Sequence, residues 1–246
     1  MHKPLIGIVA KPIANDYEDW WHFMGIVDDL RLRLIEQGAV VAGILPTDRQ
    51  LDFSMEERFD GPDLTPEAAV DLAELLSHFD GIVLEGGLNA NPYERAVVQI
   101  CAAENIPLLG VCSGFNNIVT AFGGRVQPTT SDLHQQYRQE LAHSVVINPH
   151  TKLAGILDLN HQTTSLATTD EQAAPTIMVN SIHTEVTYPD MVQGLTVAAL
   201  CPDDHTVEAV ELTHHRFLLG LKWHPELMPS MSTIFQAFVQ ACQNHQ

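Results

Sequence analysis

The sequence predicts an α/β fold, a three-layer sandwich whose central sheet is mainly parallel, and three observations carry that prediction. Short apolar runs alternate with stretches of helical spacing from residue 5 to residue 122, which is the pattern of βαβ units. A cysteine flanked by small residues stands where one of those strands feeds a helix. After the helix that follows it, short apolar runs succeed one another through brief turns, so additional antiparallel strands are expected at one side of the sheet.

Each element has its own warrant. Leu5, Ile6, Ile8 and Val9 form a short apolar strand, and residues 20–36 place Phe23, Ile26, Val27, Leu30 and Leu34 at helical spacing. Residues 39–45 read as a second strand. Thr65-Pro66-Glu67 is a helix start, with a capping hydroxyl, proline in the first turn and early acid. Strand 81–84, helix 93–105, strand 107–111 and helix 114–122 follow. The later strands are 145–147, 177–179, 195–200, 207–212 and 217–221, ahead of a closing helix over 231–242. Residues 11–19, 48–64 and 128–142 are the least regular, and the last is longer than an ordinary connection, as functional loops often are.

Composition bounds the class. A chain of 246 residues suits one large domain, residues 1–246. No apolar run reaches the roughly 18 to 20 residues that span a bilayer, and no basic stretch followed by an apolar signal core opens the chain, so a cytoplasmic protein is expected. The formal charge of −19 argues against nucleic acid or an anionic membrane as partner. Acid is densest at 48–63 and 203–211, both read as solvated surface. Cys101, Cys112, Cys201 and Cys242 show no metal-ligand spacing and are expected to be reduced. The 13 histidines are read mostly as surface residues, with His214 and His215 on opposite faces of a strand, and no metal is expected.

Chemistry concentrates in two places. Gly110-Val111-Cys112-Ser113-Gly114 is a small-x-nucleophile-x-small pattern, in which glycines allow a strained strand-to-helix turn that exposes the central side chain. Alone it reads equally well as a small core thiol. Far downstream, Gly220-Leu221-Lys222-Trp223-His224-Pro225-Glu226 puts a histidine and a carboxylate at the exit of a strand that Pro225 ends. An imidazole that takes the thiol's proton, steadied by a carboxylate, turns the cysteine into a nucleophile. Cys112, His224 and Glu226 are therefore the candidate catalytic residues.

At these residues the chain resembles the class I glutamine amidotransferase-like hydrolases, and within them the gamma-glutamyl-gamma-aminobutyrate hydrolase branch, peptidase family C26. The resemblance also runs through Pro4-Leu5-Ile6-Gly7-Ile8, Phe79-Asp80-Gly81-Ile82-Val83-Leu84-Glu85-Gly86-Gly87, His143-Ser144-Val145-Val146-Ile147 and Val179-Asn180-Ser181-Ile182-His183. It implies a flavodoxin-like fold and a single catalytic domain. It also implies a cysteine-dependent hydrolysis of gamma-glutamyl amides through a thioester, with no cofactor. The implied oxyanion hole is the backbone N–H of Gly87 with that of Ser113, Gly86 being the near alternative. Asn116, His183 and Glu185 join Gly86 as implied substrate contacts.

Several positions depart from the family pattern. Ser113 replaces an arginine, Asn116 a glutamine and Glu85 a proline, while Thr184-Glu185 stand where His-Gln is frequent and Lys222 where glutamine is common. Glu85 and Glu185 near the cleft would favour a cationic leaving amine. Two other functions are carried beside the hydrolase: a glutaminase subunit feeding ammonia to a separate synthetase chain, and a non-catalytic binding relative. The amine half of the substrate and any homo-oligomer are left open.

Overall fold

The computed structural model describes residues 3–13, 23–47, 64–87, 91–137, 140–158 and 174–243. The chain runs through β1 (Leu5–Val9), β2 (Lys11–Ile13), β3 (Phe23–Gly25), α1 (Asp28–Glu36), β4 (Val40–Ile44), α2 (Pro66–Leu76), β5 (Gly81–Leu84), α3 (Pro92–Glu104), β6 (Leu108–Val111) and α4 (Ser113–Ala121). It continues through β7 (Gln127–Pro128), β8 (His143–Ile147), α5 (Lys152–Ile156), β9 (Thr176–Val179), β10 (Glu185–Val186), β11 (Thr196–Leu200), β12 (Val207–Glu211), β13 (Leu218–Leu221) and α6 (Ser232–Gln243).

Nine of these strands make one sheet in the order β4-β1-β5-β6-β13-β12-β11-β8-β9. Pairing is parallel from β4 to β13 and antiparallel from β13 to β9. The mixed sheet follows from the connections: helices return the chain over the sheet in the first half, whereas β11, β12 and β13 are joined by turns. Strand side chains alternate between two cores. Ile8, Val83, Leu109 and Val111 pack with Leu30 and Leu34 of α1 and Phe235 and Phe238 of α6. On the other face Ile82, Leu84 and Leu108 pack with Leu72 of α2, Val97 of α3 and Phe115 and Ile118 of α4. Both faces are covered, so the central strands β5, β6 and β13 are buried at every position.

The helix start read at Thr65 is capped as expected, and α3 is capped at both ends. Thr65 caps α2 by accepting the Ala68 N–H at 3.2 Å, and Asn91 caps α3 by accepting that of Glu94 at 2.8 Å. Asn105 closes α3 in the left-handed conformation at φ 54°.

The expected helix over 20–36 is shorter. It begins at Asp28, and Phe23–Gly25 instead pairs antiparallel with Lys11–Ile13. Phe23, Ile26 and Val27 imitate a helical stripe, but the Val27 N–H is held by Glu85 Oε2 at 2.7 Å outside the helix. Residues 20–22 and the acidic stretch 48–63 lie outside the described residues. The second acidic stretch is not a solvated face: Glu208 and Glu211 are buried, and Glu211 accepts the N–H groups of Lys152 and Leu153 at the start of α5. His214 and His215 lie in the turn after β12, where His214 is exposed and the buried His215 ring meets the Cys101 carbonyl at 2.9 Å.

Candidate active site

Three neighbouring parallel strands empty onto one edge of the sheet. Their registers align Leu84 with Gly110 and Val111 with Leu221, so the residues that follow emerge side by side: Gly86 and Gly87 after β5, Cys112 and Ser113 after β6, Lys222 and His224 after β13. The Cys112 N–H donates to the Leu221 carbonyl at 2.8 Å, continuing the ladder to the last residue before the turn.

Cys112 then takes φ 53° and ψ −103° at the head of α4. A side chain in that region carries strain of order 1–3 kcal/mol, which persists only where the surroundings enforce it. Here they do. A Cβ on Gly114 would lie 2.3 Å from the Leu84 carbonyl oxygen, and one on Gly110 would lie 2.8 Å from the Gly114 backbone. The flanking glycines are thus what lets β6 turn into α4 against β5, and the turn sets the buried Cys112 where the core meets the cleft.

The partners converge. His224 Nδ1 lies 2.7 Å from Glu226 Oε1, and the ring and the Cys112 side chain meet beside Gly86, where an added Cβ would lie 2.6 Å from His224 and 3.3 Å from Cys112. Asn180 grips the His224 backbone from both sides, accepting its N–H at 2.8 Å and donating to its carbonyl at 2.9 Å. Arg33 of α1 donates to the Glu226 carbonyl at 3.0 Å. Burial alone would push the Cys112 thiol up, but the hydrogen bond and charge of His224, with Lys222 and Lys11, hold it down at about 7. Burial opposes the imidazolium too, and Cys112 and Glu226 overcome it to raise His224 to about 10. Between these values the pair is a thiolate and an imidazolium. The other cysteines behave oppositely: burial raises Cys101, Cys201 and Cys242.

The cleft beside Cys112 encloses about 250 Å³ and is walled by Gly87, Ser113, Asn116, Tyr137, Thr184 and Glu185 among others. Gly87 has φ +137°, open to glycine alone at no cost. Gly86 sits against the dyad itself, since a Cβ there would be 2.6 Å from His224 Cε1. Asn116 links two charges across the floor, accepting from Lys222 Nζ at 2.7 Å and donating to Glu185 Oε2 at 2.7 Å. Glu185 therefore faces the cleft. Glu85 does not: its carboxylate turns to the Val27 N–H, and burial pushes it up to about 7. The expected contribution of Glu85 to a cationic leaving group is withdrawn on that ground.

Lys11 and Glu94 were not legible as site residues. Lys11 Nζ donates to Ser113 Oγ and pairs with Glu94 at 3.0 Å, while Asn117 donates to Glu94 and to the Ser113 carbonyl, the latter at 3.1 Å. This buried network fixes the residue after the cysteine from behind. Asn180, quoted in the resemblance without a role, is the other omission, and no local spacing points to either.

The histidines need a larger correction. His134, His143 and His183 are buried together with Glu208, one potential ligand atom of each lying within 4.8 Å of the others. They come from a 3-10 turn, Asp132–His134, from β8, from the segment before β10 and from β12. Chain spacing gives no sign of them. His183 borders the cleft, but its Nδ1 meets the Glu185 carbonyl at 2.9 Å and its Nε2 faces Glu208.

No helix among the described residues is long and apolar enough to cross a membrane. The family model for peptidase C26 matches residues 91–226, more than half of the chain. Among curated relatives, CTP synthase of Chlamydia trachomatis serovar A is 25% identical over 202 residues, covering 72% of this chain and 35% of the relative. The chain thus spans about a third of the length of the CTP synthases it matches. The gamma-glutamyl-gamma-aminobutyrate hydrolase PuuD of Escherichia coli K12 is 27% identical over 214 residues, covering 71% of this chain and 76% of that one. The glutaminase domain of Trypanosoma brucei CTPS, solved with bound acivicin, superposes with a TM-score of 0.62 at 17% identity, covering 98% of this chain and 94% of that one. Fold, elbow and family match agree, and the chain belongs to the glutamine amidotransferase-like peptidase C26 family.

Proposed function

We propose that this protein hydrolyses gamma-glutamyl amides of small molecules, gamma-glutamyl-gamma-aminobutyrate or a related gamma-glutamyl amine, with Cys112, His224 and Glu226 as its catalytic residues. The observation that carries the reading is a strained thiol held down at about 7 by His224 beside a cleft bearing one charge of each sign. Cys112 Sγ attacks the side-chain carbonyl carbon, forming an S–C bond. The N–H groups of Gly87 and Ser113 receive the oxyanion, each such donor typically worth roughly 3–4 kcal/mol of barrier. As the C–N bond breaks, His224 gives its proton to the leaving amine. Water, deprotonated by His224, then cleaves the thioester and releases glutamate.

Glu185 and Lys222 suit the amino-acid head of the gamma-glutamyl half: a carboxylate for the α-ammonium and an ammonium for the α-carboxylate. Asn116, bonded to both, keeps them apart. The match to CTP synthases supports a second reading, a glutaminase working for a separate synthetase chain. The test is glutamate release by the purified chain from gamma-glutamyl-aminobutyrate, a gamma-glutamyl polyamine and glutamine at equal concentration. Steady turnover of a gamma-glutamyl amine above that of glutamine is expected. Turnover of glutamine alone would move the protein to the second reading, and no turnover of any would reject both.

A further inference from the structure

Among the buried polar atoms of the described residues that have no hydrogen-bond partner, four belong to one cluster: His134 Nδ1, His143 Nε2, His183 Nε2 and Glu208 Oε2. Relative exposure is 0% for His134, 3% for His143, 5% for His183 and 1% for Glu208, so bulk water does not serve them. Leaving one such group unpaired costs about 1–3 kcal/mol. Four together need an explanation.

The outward-facing atoms supply it. His134 Nε2 meets Asp204 Oδ2 at 2.8 Å, His143 Nδ1 the Ser144 carbonyl at 3.1 Å, and His183 Nδ1 the Glu185 carbonyl at 2.9 Å. Each of these partners is an acceptor, so the outer nitrogen of every ring carries the hydrogen and, in a neutral imidazole, the inner nitrogen presents a lone pair. Glu208 Oε1 accepts from Thr206 Oγ1 at 3.3 Å, leaving Oε2 for the interior. Among the described residues no neighbouring group donates into the space between the four side chains, which is ringed by acceptors once Glu208 is ionised. One water has two hydrogens and would leave two acceptors unmet; a cation satisfies all four.

We propose that His134, His143, His183 and Glu208 bind one zinc-class divalent ion in a closed tetrahedral site beside the cleft. Three imidazoles and a carboxylate suit Zn²⁺, whereas Mg²⁺ and Ca²⁺ ask for oxygen ligands throughout. Carbonyl or carboxylate partners on the far ring nitrogens are the usual second layer of a metal-bound histidine. Glu208 Oε1 stands 3.8 Å from His134 Nδ1 and 4.0 Å from His183 Nε2. Bonds of about 2.0–2.1 Å put tetrahedral ligands roughly 3.4 Å apart, and the four ligand atoms lie within 4.8 Å of one another, so a pair would close by at most about 1.4 Å. All four positions are filled by protein, the arrangement of a structural ion rather than of one that activates water.

The site would clamp the cleft wall. His183 follows Ile182, whose carbonyl is 3.9 Å from Cys112 Sγ, and precedes Thr184 and Glu185, which line the cleft. Gln135 bridges to Ile182 across the same seam, so the ion would tie this wall to β8 and β12.

The test strips the full-length protein with dipicolinate, removes the chelator and titrates with Co²⁺, followed by Zn²⁺. One Co²⁺ per chain with the intense visible absorption of tetrahedral coordination is expected, displaced by Zn²⁺. Cys112→Ala should bind Co²⁺ unchanged, which separates this site from the dyad, while Glu208→Gln and His143→Gln should weaken binding at least tenfold. Absence of tetrahedral absorption in the wild-type protein would overturn the proposal even if neither ligand variant folds. Loss of the signal in Cys112→Ala would overturn it too.

Discussion

Two buried polar clusters flank one cleft wall, and they are built on opposite plans. In Cys112, His224 and Glu226 the ring stands between the thiol and a carboxylate that holds Nδ1, so the thiol's proton can pass to the ring while the carboxylate steadies the imidazolium. In His134, His143, His183 and Glu208 the ring donors face outward and the inner nitrogens face one another and the carboxylate, with no hydrogen bond joining them. Histidine and carboxylate occur in both. The direction in which the ring hydrogens point, set by neighbours outside the cluster, decides whether such residues suit acid-base chemistry or the binding of a cation.

The comparison breaks most sharply at Cys112. Cys112→Ala should lower kcat/KM for the preferred gamma-glutamyl amide by about 10⁵-fold or more, since removing a nucleophile leaves only the binding and oxyanion contributions. Cys101→Ala, Cys201→Ala and Cys242→Ala should stay active, because burial keeps those thiols protonated and far from the cleft edge. Steady-state assays of the four variants with circular dichroism as a fold control check this. Activity surviving in Cys112→Ala would remove the first cluster from the chemistry.

The sequence made one of these clusters readable and hid the other, for a physical reason. Cys112 lies between glycines that the turn requires, and His224 and Glu226 share one short strand exit, so spacing along the chain mirrors proximity in space. The parallel strands and both capped helices were legible in the same way, each from a local pattern. The histidine cluster draws one residue from each of four elements that only the antiparallel half of the sheet brings together. Lys11, Glu94 and Asn180 share that fate. Where a local pattern did mislead, at Phe23, Ile26 and Val27, a pairing with residues 11–13 outweighed the helical spacing.

Glu226 sharpens the comparison at smaller cost. Its Oε1 holds His224 Nδ1, which fixes the tautomer that leaves the other nitrogen for Cys112, but it does not itself take the proton. Glu226→Gln should cost about 10²–10⁴-fold in kcat, less than loss of the nucleophile. The Co²⁺ titration should be unaffected. An effect as large as that of Cys112→Ala would mean that the carboxylate also holds the fold of the turn Pro225–Leu227, which a lowered melting temperature would reveal.

The smallest effect is the dependence on pH, and its sign follows from the charges around the thiol. Cys112 is approached by the imidazolium of His224, by Lys222 from the end of β13 and by Lys11, all favouring the thiolate, while burial opposes it and the Glu208 carboxyl, pushed up to about 8, adds a contrary charge only as it ionises. The balance holds the thiol at about 7, below its usual value, so the thiolate fraction is nearly full at pH 8 and falls about tenfold per unit below pH 7. At the alkaline end His224, raised to about 10, loses the proton that the proposed mechanism gives to the leaving amine. The profile of kcat/KM should therefore be a plateau between limbs near 7 and 10. Lys222→Met removes one of the charges that hold the thiol down and should move the acidic limb upward. A limb that stays in place, with KM alone raised, would show that Lys222 serves the substrate's carboxylate and leaves the thiol to His224.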